Sequence, residues 1–286
     1  MPDVAHKLTD EELTALEKKI KREYERAGKE VTKKADDYFS KFTIKDAEKQ
    51  QLVKDGKLTQ REYALWRQNQ MLTGKRWTDL RNQLASDLSA INERSALLMS
   101  EPLNRVFALN HNFAAYTLEH GLGLNLQFTL YDERTVARLL RDNPRLLPRP
   151  KVDIPLDKLW NKGKITSEVT QAILQGESLP KVASRLQTVT DMNRSSAVRN
   201  ARTAITGAQN AGRMDSYEYA KSIGIRLQKE WLATLDSRTR DEHRALDGQK
   251  VDIDEPFKVE GAEIMYPGDP AAEGYLVYGC RCTMIS

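Results

Sequence analysis

Cysteine is scarce in this chain: two in 286 residues, Cys280 and Cys282, with a single residue between them. That excludes a disulfide framework and fits folding in a reducing compartment. No apolar run approaches the length of a bilayer span, and the N-terminus lacks the charged-then-apolar pattern of a secretion signal, so no membrane partner is expected. The phosphate-cradling G-x-x-x-x-G-K-[ST] and the dinucleotide G-x-G-x-x-G are both absent, which argues against nucleotide-driven motor roles.

Charge, by contrast, is abundant and unevenly placed. Residues 1–200 carry 34 Lys and Arg against 27 Asp and Glu, whereas residues 201–286 carry 11 against 14. A basic front suits nucleic acid or an acidic partner. Its charges are spread over mixed-sign helical turns, which equally suits a solvated helical surface. Basic residues with interleaved aromatics occur at Tyr63, Trp66 and Arg67 and at Lys75, Arg76 and Trp77. They read either as a single-strand stacking groove or as core positions of amphipathic helices.

The periodicities predict an α+β protein: a mostly helical N-terminal region, possibly extended, over 1–141, a Pro-rich linker over 142–155, and a small C-terminal α+β domain with short antiparallel strands over 156–286. Thr9 with Glu12, and Thr59 with Glu62, have capping-box spacing. A helix with a Trp77, Leu80, Leu84, Leu88 and Ile91 stripe follows. Residues 124–131 alternate as a short strand would. The linker holds Pro144, Pro148, Pro150 and Pro155. The C-terminal domain divides into a helical lead-in over 156–224 and a short-strand part over 225–286. The lead-in has two short helices, then a long one from about Arg194 to Ser222. Ala201, Ala204, Ile205, Ala208, Ala211 and Gly212 give that helix a small-residue face, suited to close backbone approach. Arg202, Thr206, Gln209 and Arg213 form its polar face. Strand candidates are Ile225–Leu232, Val251–Ile253, Glu263–Tyr266 and Tyr275–Tyr278.

The chemically committed residues crowd the end. Thr239 and Glu242 are spaced as a capping box for a two-turn helix, and Asp247-Gly248 supplies its stop. Cys280 and Cys282 point the same way on a strand. With His243 they are three ligands of a structural Zn²⁺ site, with Asp236 or Asp247 as a fourth. The same residues also read as buried cysteines beside a core histidine, as a redox pair, or as a thiol nucleophile with base and orienter. Pro267, Gly268 and Asp269 make a tight turn.

The ordered set resembles the phage head morphogenesis proteins, the Mu F-like minor head proteins. The residues that carry it are Ala201-Arg202-Thr203 with Asn210 and Arg213, then Trp231, Asp236, Arg238, Thr239, Arg240, His243, Leu246, Asp247 and Gly248. The turn Pro267-Gly268-Asp269 and the closure Cys280-Arg281-Cys282 complete it, with Gly279 where Asn is usual. The resemblance implies a non-enzymatic, low-copy virion component. Its place is inside the head near the portal vertex, after assembly in the host cytoplasm. It implies the portal protein as partner, with packaged DNA and scaffolding or capsid protein as further ones, and a role in head assembly or DNA ejection. The competing reading is a metal- or thiol-dependent hydrolase or nuclease built on His243, Cys280 and Cys282.

Overall fold

The computed structural model describes residues 3–123, 125–148 and 152–286. The α+β expectation holds: long helices fill most of the chain and short antiparallel strands close it. Two compact units are formed, one from Met1–Lys19, Ala96–Pro150 and Val198–Ser286, the other from Ile20–Ser95 and Lys151–Ala197. We call them the terminal and the inserted unit. This division differs from the single boundary expected at 142–155. Helices α1 (Val4–Phe39), α4 (Gly74–Leu97) and α9 (Leu186–Ser222) each supply residues to both units. Among the described residues no helix is long and apolar enough to cross a membrane.

The inserted unit is built on helical stripes. Trp77, Leu84 and Leu88 of α4 meet Val31, Ala35 and Phe39 of α1 in one cluster. Ile165, Val169 and Ile173 of α7 (Ile154–Leu174) join it. Burying each such side chain stabilises by roughly 1.5–3 kcal/mol, which is why the spacing of apolar residues decides these helices. Helix α3 (Gln60–Met71) starts at the expected capping box: Thr59 Oγ1 accepts from the Glu62 amide at 3.1 Å and Glu62 returns the bond. Of the early basic and aromatic residues, Tyr63, Arg67 and Trp77 prove to be core, Trp66 is half-buried, and Lys75 and Arg76 are exposed. Arg67 is 1% exposed and grips Asp46 of α2 (Thr43–Lys54) through two bonds of 2.7 and 2.6 Å, while Tyr63 donates to the same carboxylate at 2.9 Å. The competing stacking groove is therefore not available at Tyr63, Arg67 and Trp77.

The Pro-rich stretch separates α6 (Glu133–Asp142) from α7, whose N-cap Asp153 accepts from the Leu156 amide at 3.0 Å. Pro155 sits in the first turn of α7, where its missing N–H costs nothing. Pro150 of the expected linker lies outside the described residues. Of the two helices expected to be short, α7 has 21 residues and α8 (Leu179–Ser184) has six.

In the terminal unit the small face of α9 does what its composition requires. A Cβ on Gly212 would run into the Phe107 carbonyl of α5 (Ser100–Leu122), so this close approach needs glycine. Sheet order is β2-β1-β5, all antiparallel, with β1 (Gln228–Leu232) central between β2 (Lys250–Asp252) and β5 (Thr283–Ile285). A separate hairpin pairs β3 (Phe257–Val259) with β4 (Ala262–Ile264). Trp231, Leu246, Phe257, Ile264, Leu276 and both cysteines form the core of this part.

Several expectations are corrected. Helix α1 begins at Val4, with Asp3 accepting from the His6 amide at 2.8 Å, so Thr9 lies inside it and donates to the Ala5 carbonyl instead of capping. Residues 125–131 form no strand, and Leu124 lies outside the described residues. Side chains of α5 take the backbone groups of that stretch: Asn112 brackets Tyr131 with bonds of 2.9 and 2.8 Å, and Glu119 accepts from the Leu126 amide at 2.8 Å. Tyr275–Tyr278, read as a strand, lies at α11 (Gly274–Val277), a single turn. Helix α9 starts eight residues earlier than expected, β3 was not anticipated, and the strand expected at Cys280 and Cys282 begins only at Thr283, as β5, leaving both cysteines outside it. Three-residue strands carry too few alternations to be seen against turns.

Candidate functional site

The site begins with the polar face of α9. Thr206 donates to the Cys280 carbonyl at 2.7 Å, and Thr203 Oγ1 accepts from the Gly279 amide at 2.9 Å. Asn210 donates to the carbonyls of Pro267 (3.1 Å) and Cys282 (3.2 Å) and accepts from the Met284 amide at 3.1 Å. Arg213 donates to the Met284 carbonyl at 2.9 Å, with Nε on Asn110 Oδ1 at 3.0 Å and Nη2 on Asp3 at 2.8 Å. One helix face thus clamps the backbone of residues 279–284. Each buried peptide group it pairs would otherwise cost about 1–3 kcal/mol. Gln209 extends the clamp to Thr283 at 2.6 Å and to His6 at 2.8 Å.

Gly268 fixes the other end. Its φ is +84°, and a Cβ there would lie 2.7 Å from the Gly207 amide nitrogen. The turn therefore needs glycine both for its backbone angle and for its approach to α9. Asp269, 6% exposed, holds the turn by accepting from the amides of Ala271 (2.8 Å) and Met265 (3.1 Å).

Below the clamp lies the clustered motif. Helix α10 (Asp241–Leu246) has Arg240 as N-cap with no side-chain capping bond, so the expected Thr239–Glu242 capping box is not formed. Thr239 instead donates to the Thr234 carbonyl and accepts from the Asp236 amide at 3.0 Å. Asp236 accepts from the Arg238 amide at 2.8 Å and takes both arms of Arg281, at 2.6 and 2.7 Å. Arg281's bidentate bonding, with the Arg238 amide second, holds the Asp236 carboxyl well below the usual carboxylate range. Asp247 accepts from the Ala233 amide at 2.8 Å, and Gly248, at φ +75°, donates to the Trp231 carbonyl at 2.8 Å. Both aspartates are therefore engaged elsewhere and neither serves as the expected fourth ligand.

His243, Cys280 and Cys282 do meet. All three are buried, and their ligating atoms lie within 4.8 Å of one another. His243 Nδ1 is 3.2 Å from Cys282 Sγ and 3.6 Å from Cys280 Sγ. The ring's Nε2 faces Arg240 Nη2 at 2.9 Å, and Arg240 Nη1 donates to the Tyr278 carbonyl at 2.7 Å. Trp231 packs edge-on against the imidazole, 5.8 Å between centroids. Hydrogen bonding from the Cys280 thiol and then from His243 favours the Cys282 thiolate against the burial that opposes it, while burial pushes the Cys280 thiol up. A cavity of about 40 Å³ opens onto the cluster, lined also by Thr234, Arg238, Thr239, Arg240 and Arg281.

Of the motif residues expected from sequence, most therefore converge on the C-terminal segment. Arg202 does not: it binds Glu17 at 2.5 Å. Arg238 is largely exposed, 3.7 Å from Asp236. Asp3, His6, Asn110 and Thr283 were missed. Asn110 had a signal, since Asn110-His111-Asn112 interrupts the apolar run of α5. Asp3 and His6 had none, because their partners lie some two hundred residues away.

The family described as Phage Mu protein F like protein matches residues 163–285, the stretch that holds both the clamp helix and the cluster. The match covers this stretch rather than the whole chain. It is 27% identical over 284 residues to Minor head protein GP7 of Bacillus phage SPP1, covering 98% of this chain and 84% of that protein. It is also 34% identical over 183 residues to the NAD(+)–arginine ADP-ribosyltransferase EFV of Enterococcus faecalis, covering 59% of this chain but 34% of that protein. Uncharacterized protein YqbB of Bacillus subtilis is 27% identical over 131 residues, 42% of its length. No solved structure matches the chain.

Proposed function

We propose that this chain is a phage minor head protein: a non-enzymatic, low-copy component of the virion that docks on the portal protein inside the head and supports head assembly or DNA ejection. The observation that carries this is the near full-length similarity to the SPP1 minor head protein, joined to the Mu F-like match. The geometry supports a structural role for the shared motif. Asn210, Arg213, Asp236, Thr239, Asp247, Asp269 and Arg281 are all occupied in bracing backbone or each other. Residues so engaged are poor candidates for transferring protons or binding substrate.

Co-expression with the portal protein encoded beside it tests the partner. Co-purification through size exclusion is expected; separate elution of two folded proteins contradicts docking. The basic excess before residue 200 supports a second contact, with packaged DNA. Full-length chain should then bind duplex DNA without sequence preference, and affinity should fall steeply with salt. Binding that is absent at low salt removes DNA from the partners and leaves portal docking standing.

The similarity to the EFV transferase gives an enzymatic reading its own footing, although this chain spans 34% of that protein. Incubation with NAD⁺ discriminates: no nicotinamide release is expected, and turnover that His243→Ala abolishes would reverse the assignment.

A further inference from the structure

We infer that His243, Cys280 and Cys282 bind one zinc ion through Nδ1 and two sulfurs, leaving a fourth coordination position open toward the adjacent cavity. At Zn–S of about 2.3 Å and Zn–N of about 2.0–2.1 Å, tetrahedral coordination separates a sulfur from a ring nitrogen by about 3.6 Å. Of the two observed separations, the 3.6 Å to Cys280 Sγ matches that edge and the 3.2 Å to Cys282 Sγ is shorter than it.

Packing alone does not account for the arrangement. A buried cysteine acting as a small hydrophobe has no reason to direct its sulfur at a polar ring nitrogen, and here two do. A proton on Nδ1 serves Cys282 and leaves the Cys280 sulfur 3.6 Å from the same nitrogen without a bond to it; an ion engages both sulfurs and the ring at once. The Cys282 amide donates to Cys280 Sγ at 3.3 Å, the kind of bond that orients a thiolate ligand. Residues 2% and 3% exposed exclude casual surface binding.

The fourth position follows from the lining. Among the described residues no carboxylate borders the cavity, and Asp236 and Asp247 are held by Arg281 and the Ala233 amide. The remaining ligand is therefore solvent or a small anion, with Arg238, Arg240 and Arg281 around it. Two thiolates and one imidazole with an exchangeable fourth position is a donor set zinc accepts.

Arg240 is the point of tension. An ion on Nδ1 places the ring proton on Nε2, where Arg240 presents a donor. Metal binding must therefore release that bond, while Arg240 keeps the Tyr278 carbonyl. Replacing Arg240 with glutamine supplies an acceptor instead.

The test uses full-length, untagged chain purified without added metal. Elemental analysis should find about one equivalent of zinc in the wild type, the same in Arg240→Gln, and about one tenth or less in Cys280→Ser/Cys282→Ser. Because the double variant risks misfolding, the wild type is also stripped with chelator and given Co²⁺. Thiolate-to-cobalt charge-transfer absorption with the strong visible bands of a tetrahedral site is expected. Folded wild type that gives no such absorption overturns the inference, as does a full zinc equivalent retained by a folded double variant.

Discussion

The inserted unit and the terminal unit solve the same problem with different chemistry. The inserted unit buries aliphatic and aromatic stripes of α1, α4 and α7 against each other, with one desolvated ion pair, Asp46–Arg67, set among them. The terminal unit has strands of three to five residues, too short to hold themselves, and fastens them with side chains of α9. Apolar burial is non-directional and tolerates drift; bonds to peptide groups do not. The motif residues Asn210, Arg213, Asp236, Thr239, Asp247, Asp269 and Arg281 fall in the second kind of structure.

The largest effect expected from breaking this contrast is at Arg67. Arg67→Met leaves Asp46 buried without its partner and should cost about 3–5 kcal/mol. Equilibrium denaturation reads it, and a loss below about 1 kcal/mol would mean that Asp46 finds water or protonates at little cost. Next comes the clamp. Asn210→Ala strips partners from two carbonyls and one amide and should cost about 2–3 kcal/mol. Hydrogen exchange should speed at Met284 before it speeds in α4, which separates local release from global unfolding.

A smaller effect distinguishes the units by pH. Lys229, fully buried, donates to the Ile253 carbonyl at 2.9 Å, and burial brings its pKa down to about 8. Between pH 8 and the ordinary lysine value of about 10.4 the unfolded chain holds more protons than the folded one, so stability rises with pH in that window. The rise should be on the order of 2 kcal/mol and vanish in Lys229→Met, as melting curves of the two proteins would show by their difference. The smallest effect is at Asp236, whose folded pKa is depressed. Its contribution is present above the unfolded carboxylate value and is lost as pH falls toward the folded one. Asp236→Asn should flatten the acid limb of Tm against pH; an unchanged limb would show the Arg281 pairing to be energetically idle.

The same contrast explains what was legible. Helical stripes announce burial by period, so α4, the small face of α9 and the Thr59–Glu62 cap could be read directly. The Thr239–Glu242 spacing was read by the same rule and misled, because Thr239 had a better partner in the Thr234 carbonyl. Bracing bonds have no period. Asn210 and Arg213 were noticed through their order in a motif, yet their partners, the peptide groups of 279–284, carry no side-chain signature. Nor does sequence spacing show that His243 faces two sulfurs; that needs α10 and the C-terminal segment in the same core.

A head component, unlike an enzyme of the host, is found in purified heads. Heads purified from the phage or prophage encoding this chain should contain it at a small fraction of the major capsid protein's copy number, as quantitative mass spectrometry would show. Mature, DNA-filled heads that lack the chain would contradict the account.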